Sequence, residues 1–198
     1  NHPYSRPSDG TLETMAAIGP ADLEDFRKRV FARDNLVVGI VGAISEDDAK
    51  AMLDTVFGAL PEKADLKPVP EIAAKAGEVK HVEFATPQTN IRVALPGIKR
   101  DDPDFFAGYL VNYVLGGGSF SSRLYNEVRE KRGLAYGVYS YLGTYEHAGI
   151  VGGGSATRAD RSQQTVDVIL AEFERMASEG PTAAELEKAK KYIKGSYA

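Results

Sequence analysis

The sequence predicts an α+β fold, an antiparallel or mixed sheet backed by helices. Strand-length segments come in pairs, at 79–85 with 90–95 and at 136–145 with 149–157. Each pair is joined by a connection too short for a parallel crossover. Segments with apolar residues at helical spacing stand between and after the pairs. The resulting order, ββ-αα-ββ-αα, is the one that places helices on one side of a sheet.

The elements follow in chain order. Residues 1–10, "NHPYSRPSDG", are irregular, and a short helix spans Thr11 to Ile18. A second helix begins at Gly19-Pro20, where Pro20 suits the first turn and Asp22 and Glu24 suit the N-terminal dipole. Leu23, Phe26 and Val30 form its stripe, and Asp34-Asn35 stops it. "LVVGIVGAI", Leu36 to Ile44, is a near-continuous apolar run of strand length, expected to be covered on both faces. Ser45 with Asp48 caps a helix carrying Met52, Leu53, Val56, Phe57 and Leu60. Residues 61–78, with three prolines and no periodicity, read as a linker. A single strand before it cannot bury its own edges, so residues 1–60 read as the tail of a domain whose earlier part lies elsewhere.

After the linker come the strands 79–85 and 90–95, then a helix from Asp102-Pro103 with Phe105, Phe106, Tyr109, Leu110, Tyr113 and Val114. Gly116, Gly117 and Gly118 end it. Ser121 or Ser122 caps the next helix, which runs to about Arg132. "YGVYSYLGTY" and "GIVGGGSAT" form a hairpin across "EHAG". A helix opens at Asp160 and stops at Gly180-Pro181, and Thr182 with Glu185 forms a capping box for a last helix to Ala198.

Composition narrows the function. The 198 residues are 43% hydrophobic and 26% charged, with a net charge of -4 from interspersed acids and bases. That argues against nucleic acid, which needs a basic face. No apolar run approaches the ~20 residues that span a bilayer, so no membrane role is expected. There is no cysteine, which removes disulfides and thiolate metal sites and leaves the compartment open. Residue 1 is Asn and the last helix runs into the end of the chain. Both ends read as cuts in a longer protein, the alternative being a mature chain with a frayed helix.

The glycine stretch has three readings. A phosphate cradle needs a preceding strand and a lysine, and here a helix precedes and no lysine follows. A helix stop with a turn is the plain reading. The third is a strip of bare backbone that lets an extended ligand come close. Further on, Gly133 ends the helix in the left-handed conformation, and Leu134 folds back on Val128. The chain then reverses into a strand, so Arg129 and Tyr136 are expected to meet at one end of the sheet. Both offer hydrogen-bond donors to a carbonyl oxygen or oxyanion, although an arginine beside a tyrosine is also an ordinary surface pair. His2, His81 and His147 have no metal-binding spacing, so no metal site is expected in this chain.

"LGGGSFSSRLYNEVREKRGLAYGVYS" resembles the signature of the non-zinc half of pitrilysin/insulinase-type zinc metallopeptidases, the group of the mitochondrial processing peptidases. The opening through "LVVGIVGAI" resembles the close of their zinc-bearing half. The resemblance implies a metallopeptidase half-domain of the processing-peptidase type. Residues 1–60 would be the tail of the first half, 61–78 the linker, and 79–198 a second half incomplete at its C-terminus. It implies zinc in the full-length parent, on a motif upstream of Asn1, and no catalytic residue in this chain. Arg129 and Tyr136 would bind the substrate backbone, and Gly116, Gly117 and Gly118 would border its path. The implied partners are a peptide or unfolded protein substrate and a zinc-bearing half or homologous subunit. The alternative is a non-catalytic peptide-binding partner of the same family. A bacterial member would be exported.

Overall fold

The computed structural model describes residues 2–196, so Asn1 and the last two positions expected in the final helix, Tyr197 and Ala198, lie outside the described residues. The chain forms two compact units that divide between Pro70 and Glu71.

The first unit is helical. α1 (Leu12–Ala17) is held by a reciprocal cap between Thr11 and Thr14. α2 (Pro20–Val30) starts with proline in its first turn, and the Gly19 N–H donates to the Asp22 carboxylate at 2.8 Å. Asn35 closes its far end, donating to the Val30 carbonyl at 2.8 Å and accepting from the Ala32 N–H. α3 (Glu46–Phe57) is capped by Ser45, whose Oγ accepts from the Asp48 N–H at 3.1 Å. The Asp48 carboxylate takes the Ser45 hydroxyl proton, not the backbone N–H of a full box. The start of the proline-rich stretch returns to α2: Pro61 accepts from Arg33 and Asp65 donates to Arg29. Ala32 is the one buried residue among those described here.

Two expected strands do not form. Leu36–Ile44 is irregular and unpaired, with Val37 95% and Val41 103% exposed. Val79–Ala85 is also unpaired, with Val79, Val82 and Phe84 exposed. Side-chain pattern gives a segment its preference for extended backbone, but a ladder needs a neighbouring strand to accept and donate. Neither segment has one among the described residues.

The second unit contains the sheet: β1 (Gln88–Pro96), β2 (Ala135–Tyr145) and β3 (Ala148–Arg158), in the order β1-β3-β2, antiparallel throughout. β2 and β3 are a hairpin turning at Glu146-His147. β1 pairs with the other edge of β3, Ile91 opposite Ser155 and Val93 opposite Gly153. α4 (Phe105–Asn112) runs into a π-helical turn, Tyr113–Gly117. A second π-helix spans Tyr125–Glu130, and α5 (Ser162–Glu179) and α6 (Ala183–Ser196) complete the unit. Ile91 and Val138 from the sheet meet Val114, Leu115, Leu124, Val128, Ile169, Phe173 and Met176 from the helices in one core. Leu124, Val128 and Ile169 are fully buried, and each such side chain contributes about 1.5–3 kcal/mol.

Most polar groups inside this core are paired, and Arg123 Nη1 is the buried side-chain atom without a hydrogen-bond partner among the described residues. Ser140 donates to Asn112 Oδ1 at 2.8 Å, and Thr157 to the Leu134 carbonyl at 2.6 Å. Arg123 binds Glu185 through Nε and Nη2, both at 2.7 Å, and the Gly180 carbonyl at 2.9 Å. Glu185 also accepts from the Thr182 N–H, the expected capping box of α6. The Arg123 guanidinium, with help from Thr182, holds the Glu185 carboxyl down at about 2.

Candidate functional site

The site grows from one helix-to-strand reversal. Ser122, and not Ser121, stands at the head of the incoming helix: its carbonyl accepts from the Asn126 N–H at 3.1 Å and its Oγ from Tyr125 at 3.4 Å. The helix winds as a π-helix over Tyr125–Glu130, and Lys131 N–H reaches back to the Asn126 carbonyl. Gly133, at φ +58°, makes the left-handed stop. Gly133 N–H then bonds the Arg129 carbonyl and Leu134 N–H the Val128 carbonyl, each at 2.9 Å. These bonds nest like a Schellman motif but each spans one residue more than usual, which matches the wider winding before them. Leu134 and Val128 are both buried in the core, as expected.

β2 begins with an irregularity of its own. Ala135 faces Thr157 and Val138 faces Ser155, so β2 carries one extra residue there, a β-bulge. Ala135 and Val138 point inward, while Tyr136 and Gly137 both point out. Ser155 Oγ donates to the Gly137 carbonyl at 2.9 Å and satisfies the disturbed ladder. The bulge leaves Tyr136 84% exposed beside the helix end.

Arg129 and Tyr136 meet there. The guanidinium carbon lies 4.3 Å from the centre of the Tyr136 ring, and Nη1 donates to the Tyr136 carbonyl at 3.3 Å. The contact runs through the ring face, not through the hydroxyl alone. The guanidinium also lies 5.0 Å from the centre of the Tyr125 ring, and Phe120 meets Tyr125 edge-on at 4.9 Å. Tyr125 and Phe120 were not singled out from the sequence. Tyr125 stands four residues before Arg129, a spacing that makes helical neighbours and gives the signal.

Charge singles out Arg129 among the cations of this segment. Lys131 and Arg132 both bind the buried Glu127 carboxylate, Arg132 at 2.6 Å, and together they hold its pKa below the usual range. The acid nearest Arg129 is Glu130, at 3.9 Å and without a hydrogen bond. Stacking on two phenol faces orders the guanidinium without consuming its in-plane N–H donors.

The glycines divide. Gly116 is buried, and a Cβ there would stand 2.5 Å from Ser140 N, so its bareness serves helix-to-sheet packing. Gly117 is exposed, and a Cβ on it would meet the Asn112 side chain at 2.6 Å. Gly118 donates its N–H back to the Tyr113 carbonyl. None of the three has positive φ, whereas Ser119 does, at φ +49°. No phosphate cradle forms, since the stretch ends a helix and turns its last N–H inward.

The described residues contain no group of three or more His, Cys, Asp or Glu that could hold a metal ion. No described helix is long and apolar enough to cross a membrane.

The antiparallel sheet, its helices and this reversal define a half-domain of the processing-peptidase type. Residues 17–193 match the family described as Peptidase M16 inactive domain, and the chain belongs to that family. It is 32% identical, over 99% of its length, to the uncharacterized zinc protease YmxG of Bacillus subtilis, of which it covers 47%. It is 30% identical, over 99% of its length, to the non-peptidase homolog YmxG of Helicobacter pylori, covering 45% of that protein. The crystal structure of a peptidase M16 inactive domain from Pseudomonas fluorescens matches all of the chain at 39% identity and a TM-score of 0.93, with 48% of that chain covered. This chain thus spans about half the length of the relatives it matches.

Proposed function

We propose that the chain supplies the substrate-holding half of a zinc-dependent peptidase. Residues 1–60 form the tail of a zinc-bearing half, 61–78 the linker, and 79–198 the part that grips the peptide. The observation that carries this reading is the Arg129 guanidinium, packed against the Tyr125 and Tyr136 rings with its nearest carboxylate, Glu130, 3.9 Å away. Its N–H groups and the exposed Tyr136 hydroxyl suit the carbonyl oxygens of an extended peptide laid along β2, an edge strand in the described sheet. Gly117 and Gly118 border the same path, and Gly116 supports it from behind. Zinc and the general base belong to the other half, where the metal would activate the attacking water.

The test is made in a longer form that carries the zinc-bearing half. Arg129→Ala is expected to lower kcat/KM for peptide hydrolysis by about tenfold to a hundredfold, the worth of a hydrogen bond from a charged donor. Tyr136→Phe is expected to lower it less, with zinc content unchanged in both. Wild-type turnover in both variants would refute the assignment.

A second reading is a non-catalytic partner subunit that binds peptide or completes a heterodimer. The name of the Helicobacter relative, a non-peptidase homolog at 30% identity, favours it. An intact zinc motif in the companion half supports the enzyme, and a degraded one supports the partner.

A further inference from the structure

We infer that Phe120 is a specificity-determining residue, an apolar platform for a bulky hydrophobic side chain of the peptide held at Arg129 and Tyr136. This deepens the proposed peptide-holding role and rests on it. Phe120 is 74% exposed, yet it is not a loose side chain on a loop. It sits at the middle of a one-turn 3-10 helix, Ser119–Ser121, pinned at both sides. Ser121 Oγ donates to the Gly118 carbonyl at 3.0 Å, and Ser122 Oγ to the Ser119 carbonyl at 2.7 Å. Ser119 enters the turn at φ +49°, a conformation that non-glycine residues seldom adopt and that gathers at ligand-binding sites. Three glycines precede it, and the strained position is nonetheless a serine. The turn is thus built to hold Phe120 outward.

Its position relative to the pair makes the platform useful. Phe120 packs edge-on against Tyr125, and Tyr125 carries Arg129 over its face. The two contacts place the guanidinium within about 10 Å of the Phe120 ring, a reach of three residues of extended chain. A peptide whose carbonyl is held at Arg129 therefore brings a neighbouring side chain onto Phe120. The stretch 116–126 carries no carboxylate, and the exposed face that Phe120 offers is apolar.

The experiment measures binding of fluorescein-labelled, end-blocked heptapeptides by anisotropy to the longer form that carries the zinc-bearing half, with EDTA present to prevent cleavage. All are alanine-rich, with Phe, Leu, Ala or Asp at the central position. The wild type is expected to bind the Phe peptide about fivefold to tenfold more tightly than the all-Ala peptide, the range of an aromatic pair. Phe120→Ala should abolish that preference, while Phe120→Leu should keep most of it. Arg129→Ala should weaken every peptide alike. A preference that survives Phe120→Ala, with the uniform loss in Arg129→Ala still seen, would overturn the platform and leave the peptide-holding role standing. Equal affinity of the wild type for all four peptides would do the same. No binding of any peptide would overturn both.

Discussion

The first unit and the second have the same kind of local instructions and different interiors. Both contain capped helices with apolar stripes, and both contain strand-like runs. In the second, β1, β2 and β3 find one another, and a core closes over Leu124, Val128 and Ile169. In the first, the stripe of α2 stays open, with Leu23 and Phe26 exposed, and the run at 36–44 pairs with no strand among the described residues. Caps and stripes decide where helices start and which way they face. Whether a face is buried depends on a second surface arriving. Here the deciding event is antiparallel pairing on β3.

The contrast can be broken most sharply at the core. Leu124→Ala is expected to cost about 3 kcal/mol, the transfer loss plus an unfilled cavity. Val41→Ala, on a side chain already in water, is expected to change stability by less than about 0.5 kcal/mol. Urea denaturation of the two variants measures both, and equal losses would mean that the first unit has a hidden core.

The buried ion pair comes next. Glu185→Gln leaves the Arg123 guanidinium facing a neutral amide and is expected to cost about 2 kcal/mol at pH 7, less than a fully enclosed pair because Glu185 is 32% exposed. The carboxyl sits at about 2 in the fold against 4.5 otherwise, so its stabilisation is complete above the higher value. It is lost as pH falls from there toward 2. The difference in melting temperature between wild type and Glu185→Gln should therefore shrink over that window. Glu172 works in the opposite sense: burial raises its pKa, and its contribution declines as pH rises through that raised value. It is present in both proteins and cancels from the comparison.

A smaller and more local loss than at the ion pair is expected at α3 in the first unit. Ser45→Ala removes the cap of α3 and should cost about 1 kcal/mol, read as faster hydrogen exchange at Asp48 and its neighbours. Unchanged exchange there would mean that α3 does not depend on its local signal.

These two regions also show what a sequence can reveal. Pro20, Ser45, Thr182 and Gly180 mark helix ends with groups that act within three or four residues, and the structure uses each of them. The hairpin at Glu146-His147 was legible because both of its strands lie in one stretch. The runs at 36–44 and 79–85 were misread as strands because pairing is not local. At the site, Gly133 announced the reversal that brings Arg129 to Tyr136. Tyr125, four residues before Arg129, was legible as a helical neighbour, whereas the π winding of that stretch has no plain sequence mark. Gly137 inside a strand was a readable hint of the bulge.

The two irregularities flanking Gly133 bear on how this segment can change. The helix before it and the strand after it each hold one residue beyond the regular count. Loss of one residue from the helix would rotate Arg129 by about 100° around its axis. Loss of one from the strand would send Tyr136 to the opposite face. A shortened variant would keep both side chains and still separate them, so the pair depends on spacing as much as on identity.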